Sequence, residues 1–282
     1  MLRRLEFGIS VDPSADSVDL ALELGARADE LGLDLLGIQD HPYQRRFLDT
    51  WMLMATILVR TRRLRVFPDV ANLPLRGAAM IAKQAASLDV LSRGRFELGL
   101  GAGGFWDGIA AMGGPRRSPR EALESVEEAI HVIRAFWGGE RAIDFDGRYY
   151  SVRGLHPGPP PAHRIEIWVG GYKPRMLELV GRLADGWIPS LPYLPPDQVP
   201  DSQGRVDEAA RAAGRDPADV RRAYNLIGEI DDVTAWTERL GGFVAEVRFD
   251  TLIFWPGGDD PRRQLELFAQ EVVPAVRERA AA

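Results

Sequence analysis

The feature that most constrains the fold is an alternation of strand and helix patterns that repeats eight times between residues 5 and 279. In each repeat, a short apolar run of strand length precedes a segment whose apolar residues recur at helical spacing. The predicted strands are 5–10, 35–39, 64–70, 96–100, 165–169, 186–189, 220–230 and 251–255. The predicted helices are 17–32, 50–60, 76–91, 118–137, 174–184, 206–213, 233–247 and 262–279. This order predicts an α/β protein with a closed (β/α)8 TIM barrel, and a doubly wound open sheet is the alternative.

A hairpin is predicted as an insertion after the fourth helix. Ser118 and Glu121 form a capping-box pattern with Pro119 between them, so the start of that helix is well marked. After the helix, two alternating stretches flank Asp146-Gly147, a strong signal for a tight hairpin turn. No linker divides the chain, so residues 1–282 are expected to form a single domain.

Composition restricts the function classes. The net charge is −6 with acids and bases interspersed, which disfavours nucleic acid and anionic membranes as partners. The sequence has no cysteine, so disulfides, thiolate metal sites and a cysteine nucleophile are excluded. The N-terminus lacks a signal-peptide pattern, and no apolar run has the length of a membrane helix. We expect a cytoplasmic protein without a membrane segment.

The stretch "LGIQDHPYQ" places Asp40 and His41 directly after the second predicted strand. In a barrel, the loops that follow the strands converge at the mouth, where active sites lie. A histidine there can donate or accept a proton near neutral pH, so His41 is predicted to be catalytic, together with Asp40. The alternative is a loop histidine that is only hydrogen-bonded at the surface.

Three glycine-rich or polar stretches, at the ends of strands 3, 4 and 5, are predicted to bind a ligand. After strand 4, the bare backbone of residues 101–104 would let a flat or phosphorylated ligand approach, although a tight turn is the alternative and no helix is expected directly afterwards. After strand 5, two glycines precede Lys173 and a helix that starts at Pro174, which predicts an anion site; a solvated first turn is the alternative. The candidate residues of these two stretches and of the end of strand 3 are Asp69, Asn72, Gly101, Ala102, Gly103, Gly104, Gly170, Gly171, Tyr172 and Lys173.

Two further patterns bear on partners and metals. The helix "TWMLMATILV" is apolar nearly all round, which favours burial against a second subunit, with a deep core helix as the alternative. No HExxH motif and no carboxylate cluster with metal-ligand spacing is found, so no metal is predicted.

Together these stretches resemble the bacterial luciferase-like family of flavin and deazaflavin oxidoreductases. The resemblance is carried by "ADELGLDLLGIQDH", "AKQAASLDVLSRGRFELGLGAG", "EEAIHVIRAFW", "FDGRYYSV", "IWVGGYKPRMLELVGRLADGWIPS" and "FAQEVVPAVRE", in the family's order along nearly the whole chain. It implies a homodimer that uses the second and third helices, and a flavin-type ring across the barrel mouth with its phosphate arm at the glycines after strands 4 and 5. It also implies a non-prolyl cis peptide near Asp69-Val70, so Val70 joins the cofactor-binding candidates.

The Asp-His pair is similar to that of family members that use the deazaflavin coenzyme F420. The resemblance implies that His41 accepts a proton from a substrate hydroxyl, or donates one to a reduced product. The chain departs from the sugar-phosphate dehydrogenases of that subgroup at Gly104, where they carry a glutamate. Asp107 is a candidate replacement, while Phe105 and Trp106 suggest a more apolar wall.

The predicted function is therefore hydride transfer between F420 and a small organic alcohol, carbonyl or activated alkene. The main alternative is an FMN-dependent two-component monooxygenase of an aldehyde, ketone or sulfur compound, supplied by a separate reductase. Two more remain open: a cofactor-binding relative without turnover, and a phosphate-binding barrel isomerase. Trp106, Trp168 and Trp187 are expected near the mouth.

Overall fold

Eight parallel strand positions close into a barrel in the computed structural model, which describes residues 3–281. The barrel strands are β1 (Glu6–Val11), β2 (Leu35–Ile38), β3 (Arg65–Pro68) continued by β4 (Ala71–Asn72), β5 (Leu98–Gly101), β8 (Ile167–Val169), β9 (Gly186–Trp187), β10 (Arg221–Gly228) and β11 (Thr251–Pro256). The strand order is β3-β2-β1-β11-β10-β9-β8-β5-β4. Because β4 continues β3, and because Val66 bridges to Phe96, the two ends of this sheet meet and the predicted (β/α)8 barrel is confirmed.

Helices follow the strands on the outside of the barrel. Their bounds are α1 (Val18–Glu30), α2 (Thr50–Arg60), α3 (Leu73–Arg76), α4 (Ala78–Ser92), α5 (Trp106–Ala111), α6 (Pro119–Trp137), α7 (Pro174–Leu183), α8 (Val199–Ala212), α9 (Val233–Ala245), α10 (Pro261–Leu267) and α11 (Val273–Ala281). A π-helical segment, Phe268–Val272, joins α10 to α11. None of the helices within residues 3–281 combines the length and apolar character that a membrane crossing requires.

The predicted insertion is also present. β6 (Ile143–Asp146) and β7 (Ser151–Leu155) form an antiparallel hairpin after α6. The capping box that starts α6 is complete, because Ser118 and Glu121 each bond to the other's backbone N–H.

The largest differences from the predicted elements concern three helices. α8 begins at Val199 rather than residue 206, because Pro200 lies in its first turn, where a missing N–H costs nothing. The short helices α3 and α5 were not predicted, since four and six residues are too few to establish a helical period. The prediction that no helix follows the strand-4 glycines directly is therefore wrong, because α5 begins at Trp106.

Packing closes the barrel at the amino ends of its strands. The interior is filled by an apolar cluster of Leu35, Phe67, Trp168, Ile188, Ala223 and Ile253. Below it, buried charges alternate: Arg65 pairs with Glu6 at 2.6 Å and with Glu97 at 2.9 Å, while Arg221 pairs with Glu6 at 3.0 Å and with Glu166 at 2.8 Å. With this end filled, only the carboxyl end of the barrel is left to hold a ligand.

Candidate active site

A cleft of about 790 Å³ opens at the carboxyl ends of the strands. It is lined mainly by loops that follow β2, β3, β5, β8 and β9, together with the first turns of α6 and α7. The predicted catalytic and cofactor-binding residues all lie along this one cleft: Asp40, His41, Asp69, Val70, Asn72, Gly101, Ala102, Gly103, Gly104, Gly170, Gly171, Tyr172 and Lys173.

Asp40 is buried and fully engaged by neighbouring groups. Its carboxylate accepts hydrogen bonds from Arg76 at 2.6 Å and 2.7 Å, and from the backbone N–H of Asn72 at 2.9 Å. Arg76 also donates to Asp49 at 2.8 Å, the residue that caps the N-terminus of α2. A carboxylate with both oxygens occupied is suited to holding the loop after β2 in place, and the sequence did not reveal Arg76 as its partner.

His41 follows Asp40 and extends into the cleft. Its Nδ1 lies 2.5 Å from the Tyr43 hydroxyl, so Nε2 is the ring nitrogen left to meet a ligand. The Phe105 ring packs edge-on against the imidazole, with 5.4 Å between centroids. Burial lowers the pKa of His41 from its ordinary value of 6.5, although Asp40 and Asp12 oppose the shift. The imidazole is therefore mainly neutral at pH 7 and can exchange a proton at Nε2.

Tyr43 is a functional candidate that the sequence analysis missed. Burial raises the pKa of its phenol to about 12, so the hydroxyl stays protonated and can both donate and accept. Its ring rests against Gly108 of α5, where an added Cβ would lie 2.7 Å from the ring. The available sequence signal was its position two residues after His41, but the contact with Gly108 needs the folded loop.

The floor of the cleft is formed where β3 passes into β4. The Asp69-Val70 peptide bond is cis, which confirms the expectation that the resemblance gave. Asn72 is buried, and its Oδ1 has no hydrogen-bond partner within the described residues. At Gly101, an added Cβ would lie 2.6 Å from the Val70 side chain, so only glycine lets the two backbones approach this closely.

One wall of the cleft is the N-terminus of α7. Lys173 is its N-cap residue, Pro174 begins the helix, and Lys173 Nζ lies 4.9 Å above the Tyr172 ring. Within residues 3–281, neither Lys173 nor Arg175 forms a salt bridge, so both charges are available to a ligand. The helix N-terminus and these two cations make this wall suitable for an anionic group.

Three expectations about individual side chains are corrected. Asp107 does not line the cleft: its side chain is 94% exposed and pairs with Arg116, so it does not replace the acid missing at Gly104. Trp168 lies inside the barrel and donates to Glu166 at 2.9 Å, at the closed end. Trp187 is buried behind the wall and donates to the Gly171 carbonyl at 2.8 Å. Trp106 is the tryptophan of the three that lines the cleft.

The described part of the chain contains no cluster of side chains suited to bind a metal ion. Among residues 3–281, no group of three or more His, Cys, Asp or Glu side chains is arranged to hold a metal ion. The other histidines are engaged elsewhere or exposed: His163 pairs with Asp89 at 2.7 Å, while His131 lies on the outer face of α6.

Curated relatives are found across much of the chain. A phthiodiolone/phenolphthiodiolone dimycocerosates ketoreductase of Mycobacterium sp. (strain JLS) is 34% identical over 185 residues, which are 64% of this chain and 47% of the ketoreductase. An F420-dependent glucose-6-phosphate dehydrogenase of Rhodococcus hoagii (strain 103S) is 28% identical over 80% of this chain and 69% of the dehydrogenase. A 5,10-methylenetetrahydromethanopterin reductase of Methanolobus tindarius is 31% identical over 80% of this chain and 66% of the reductase. The match thus spans about half of the ketoreductase and about two thirds of the other two.

Solved structures share the fold along the whole barrel. An F420-dependent secondary alcohol dehydrogenase in complex with an F420-acetone adduct superimposes with a TM-score of 0.84 at 20% identity, covering 98% of this chain and all of that one (100%). The oxygenating constituent of 3,6-diketocamphane monooxygenase from Pseudomonas putida, in complex with FMN, gives a TM-score of 0.77 at 19% identity, covering 96% and 99% of the two chains. At such identities these likenesses establish the fold. The sequence profile described as luciferase-like monooxygenase matches residues 5–234, and the chain therefore belongs to the luciferase-like monooxygenase family.

Proposed function

We propose that the protein is an F420-dependent oxidoreductase that transfers a hydride between the deazaflavin and a small organic alcohol, carbonyl or activated alkene. The observation that carries the proposal is a neutral histidine with a free Nε2 in a cleft whose floor and walls are largely bare backbone. The F420-dependent relatives support the choice of cofactor, although the match covers only part of their length.

The residues of the cleft fit a flat ring with an anionic arm. A planar ring can approach Val70 because Gly101 and Gly170, which flank Val70, have no side chains that would occupy this space. At Gly170, an added Cβ would lie 3.3 Å from the Val70 side chain. The Oδ1 of Asn72 is buried and has no partner within residues 3–281, and the side chain would have to turn toward the cleft for this oxygen to accept a ligand N–H. Lys173 and Arg175, at the N-terminus of α7, would receive the phosphate arm. Bound there, F420 would supply a carbon that gives or takes a hydride.

His41 would handle the proton that accompanies hydride transfer. In alcohol oxidation, neutral Nε2 accepts the hydroxyl proton while Nδ1–H donates to Tyr43. In carbonyl reduction, the imidazolium form donates its Nε2 proton to the product oxygen and returns to the neutral form. Because the Tyr43 oxygen can accept a hydrogen bond, it holds Nδ1–H in both the neutral and the protonated imidazole. Asp40 would act as a positioning residue, since Arg76 and Asn72 occupy its oxygens.

The lining favours a small, weakly polar substrate over a sugar phosphate. Gly104 supplies no acid where a second acid-base group would be needed, and Asp107 points away from the cleft. Phe105 and Trp106 give this side of the cleft an apolar surface instead. Alcohols, ketones and enones without further charge match such a wall, because burying a charge without a partner is costly.

FMN is the alternative cofactor. The same bare backbone and anion wall would suit FMN, and the diketocamphane monooxygenase constituent, which shares the fold, was solved in complex with FMN. With FMN, the protein would be the oxygenating component of a two-component monooxygenase that depends on a separate reductase. The cofactor titration described below decides between the two.

We further propose that residues 1–282 form one barrel domain in a cytoplasmic homodimer that uses α2 and α4. Large apolar side chains on these helices are exposed in the single chain: Val59 is 88% exposed on α2, and Leu91 is 81% exposed on α4. Exposed apolar side chains of this size on neighbouring helices are typical of an interface. The all-round apolar pattern of α2 is then explained by burial against the barrel on one side and a partner on the other.

The first experiment is a titration of the purified protein with oxidised F420 and, separately, with FMN, followed by quenching of tryptophan fluorescence. Trp106 lines the cleft and should respond to either cofactor. Tight binding of F420 alone supports the proposal, and preference for FMN supports the monooxygenase. Binding of neither would contradict both.

His41→Ala then tests the catalytic role. We expect nearly unchanged F420 affinity and turnover of secondary alcohols or enones reduced about 100-fold or more, since a positioned acid-base group contributes about 10²–10⁴-fold. His131→Ala is the matched control, because that histidine is exposed on α6, away from the cleft lining. Equal turnover of the two variants would remove the role assigned to His41.

A further inference from the structure

Asp69 is an acid on the floor of the cleft that has no cation beside it. Within residues 3–281 its carboxylate forms no salt bridge, and it accepts one hydrogen bond, from Asn225 Nδ2 at 3.1 Å. Asp40, the other acid that lines the cleft, is paired with Arg76 instead. Asp69 is half-buried, and its exposed part faces the cleft. A ligand on the floor would therefore cover an acid that no cation among residues 3–281 neutralises.

The elements packed around Asp69 offer it almost no charge. From β2, Gly37 faces its Cβ, and the titratable groups that follow that strand are Asp40, paired with Arg76, and His41, whose pKa is lowered. Asn225 of β10 and Ser190 after β9 are uncharged. The charged side chains of β10 and those preceding β5 and β8 lie at the closed end: Arg221, Arg222, Glu97 and Glu166. Burial raises the pKa of Asp69 to about 7, opposed only by the bond from Asn225.

Asn225 can serve either protonation state of Asp69. Its Nδ2 donates to Asp69 and, at 3.1 Å, to the Ser190 hydroxyl, while its own Oδ1 is buried without a partner. Rotating the amide by half a turn would present Oδ1 to a protonated Asp69 and to the Ser190 hydroxyl. One side chain thus provides a donor for the carboxylate and an acceptor for the neutral acid.

We propose that Asp69 is the proton-linked binding residue of the cleft: the protein takes up a proton at this carboxyl when a flat ring covers the floor. The proposal rests on the proposed function in that the ring is taken to be the redox cofactor. Covering the exposed part of Asp69 removes its remaining water, which disfavours the charged form further. A group that is more easily protonated in the bound state makes binding tighter as pH falls through about 7 and weaker as pH rises above it.

The test compares the wild-type protein with Asp69→Asn, which keeps the shape and the bond from Asn225 but cannot titrate. The dissociation constant of oxidised F420 is measured from pH 6 to 8.5, and proton uptake is measured calorimetrically in buffers of different ionisation enthalpy. Ionisations of F420 itself are common to both proteins, so they cancel in the ratio of the two constants. Asp107→Asn is the matched control, because Asp107 is exposed outside the cleft.

We expect the wild-type dissociation constant, divided by that of Asp69→Asn, to rise about fivefold or more between pH 6 and 8.5, since one unit of pKa shift corresponds to a tenfold change. We also expect proton uptake by the wild type that Asp69→Asn lacks. A ratio that does not change with pH, or proton release on binding, would overturn the proposal.

Two further measurements keep the proposal separate from the proposed function. If F420 fails to bind at every pH, the F420 assignment fails, and the same comparison is made with FMN. Independently of any ligand, the carboxyl of Asp69 is titrated by carbon-13 NMR in the wild-type protein. A titration near pH 7 supports the proposal, whereas one near pH 4 overturns it even if Asp69→Asn does not fold.

Discussion

Replacing Arg76 with methionine should destabilise the protein because it leaves the Asp40 carboxylate buried without its cation. The Asp40 side chain has no exposed area (0%), and Arg76 is 11% exposed, so little water can take the place of the guanidinium. Breaking such a pair from one side costs about 3–5 kcal/mol. We expect about 3 kcal/mol here, the lower end of that range, because the Asn72 N–H still bonds to Asp40.

The free energy of unfolding is measured by urea denaturation at pH 7, with thermal unfolding as a second readout. A loss of about 3 kcal/mol corresponds to a decrease in melting temperature of about 5 °C for a chain of this size. Arg116→Met is the control, since Arg116 pairs with the exposed Asp107 and should cost less than about 1 kcal/mol. The double variant Asp40→Asn/Arg76→Met should be about 1–2 kcal/mol more stable than Arg76→Met, because it removes the unpaired charge.

Arg76→Met within about 1 kcal/mol of the wild type would refute the reasoning, since Asp40 would not depend on its cation. A double variant no more stable than Arg76→Met would show that lost packing, for instance against Trp51, explains the effect instead. Because Asp40 directly precedes His41, the same variant should also lower turnover while the cofactor still binds. That result would support a positioning role for Asp40.

Three further predictions concern other parts of the molecule. Gly108→Ala should lower turnover, because the added Cβ would lie 2.7 Å from the Tyr43 ring and displace it. Gly204→Ala in α8 is the control, since its added Cβ meets no atom within 4 Å and should leave turnover unchanged. Equal turnover of the two variants would contradict the role of Tyr43. His163→Gln should cost about 1–2 kcal/mol in urea denaturation at pH 6, because bonds to Asp89 and Glu97 raise the pKa of His163 to about 9. The contribution of protonated His163 to the free energy of unfolding is fully present below about pH 6.5. It is lost as pH rises through about 9. A destabilisation by His163→Gln that stays constant up to pH 10 would contradict this prediction. Val59→Glu should convert a dimer into a monomer in light scattering after gel filtration, and an unchanged mass would argue against the α2 interface.

Much of the fold could be predicted because its signals are local. Strand and helix periods are set by residues within one or two turns of each other, and α2 was predicted with the same bounds as in the structure. The capping box at Ser118 and the hairpin turn after Asp146 also depend on near neighbours in the chain. The elements that were missed, α3 and α5, are too short to display a period.

The candidate residues could be found for a related reason. In a parallel barrel, every loop that follows a strand emerges at the same end, so a strand assignment also places the residue after it. His41, the strand-4 glycines and Lys173 were selected by this rule, and all line one cleft. The rule gives no depth or direction to residues farther along a loop, and it therefore misjudged Asp107. It also does not tell how deep a strand residue lies in the barrel, and Trp168 of β8 is inside it.

By itself, the sequence determined the barrel, its insertion and the end at which chemistry can occur, because those follow from local periods and from the direction of parallel strands. Only the tertiary structure decided which side chains work together at that end. Asp40 meets Arg76 across 36 positions of sequence, and Asp69 meets Asn225 across 156. Such pairs depend on how the sheet closes and how deeply each loop folds into the cleft. The result is that Asp40 lies beside a cation, whereas Asp69 lies beside an uncharged amide.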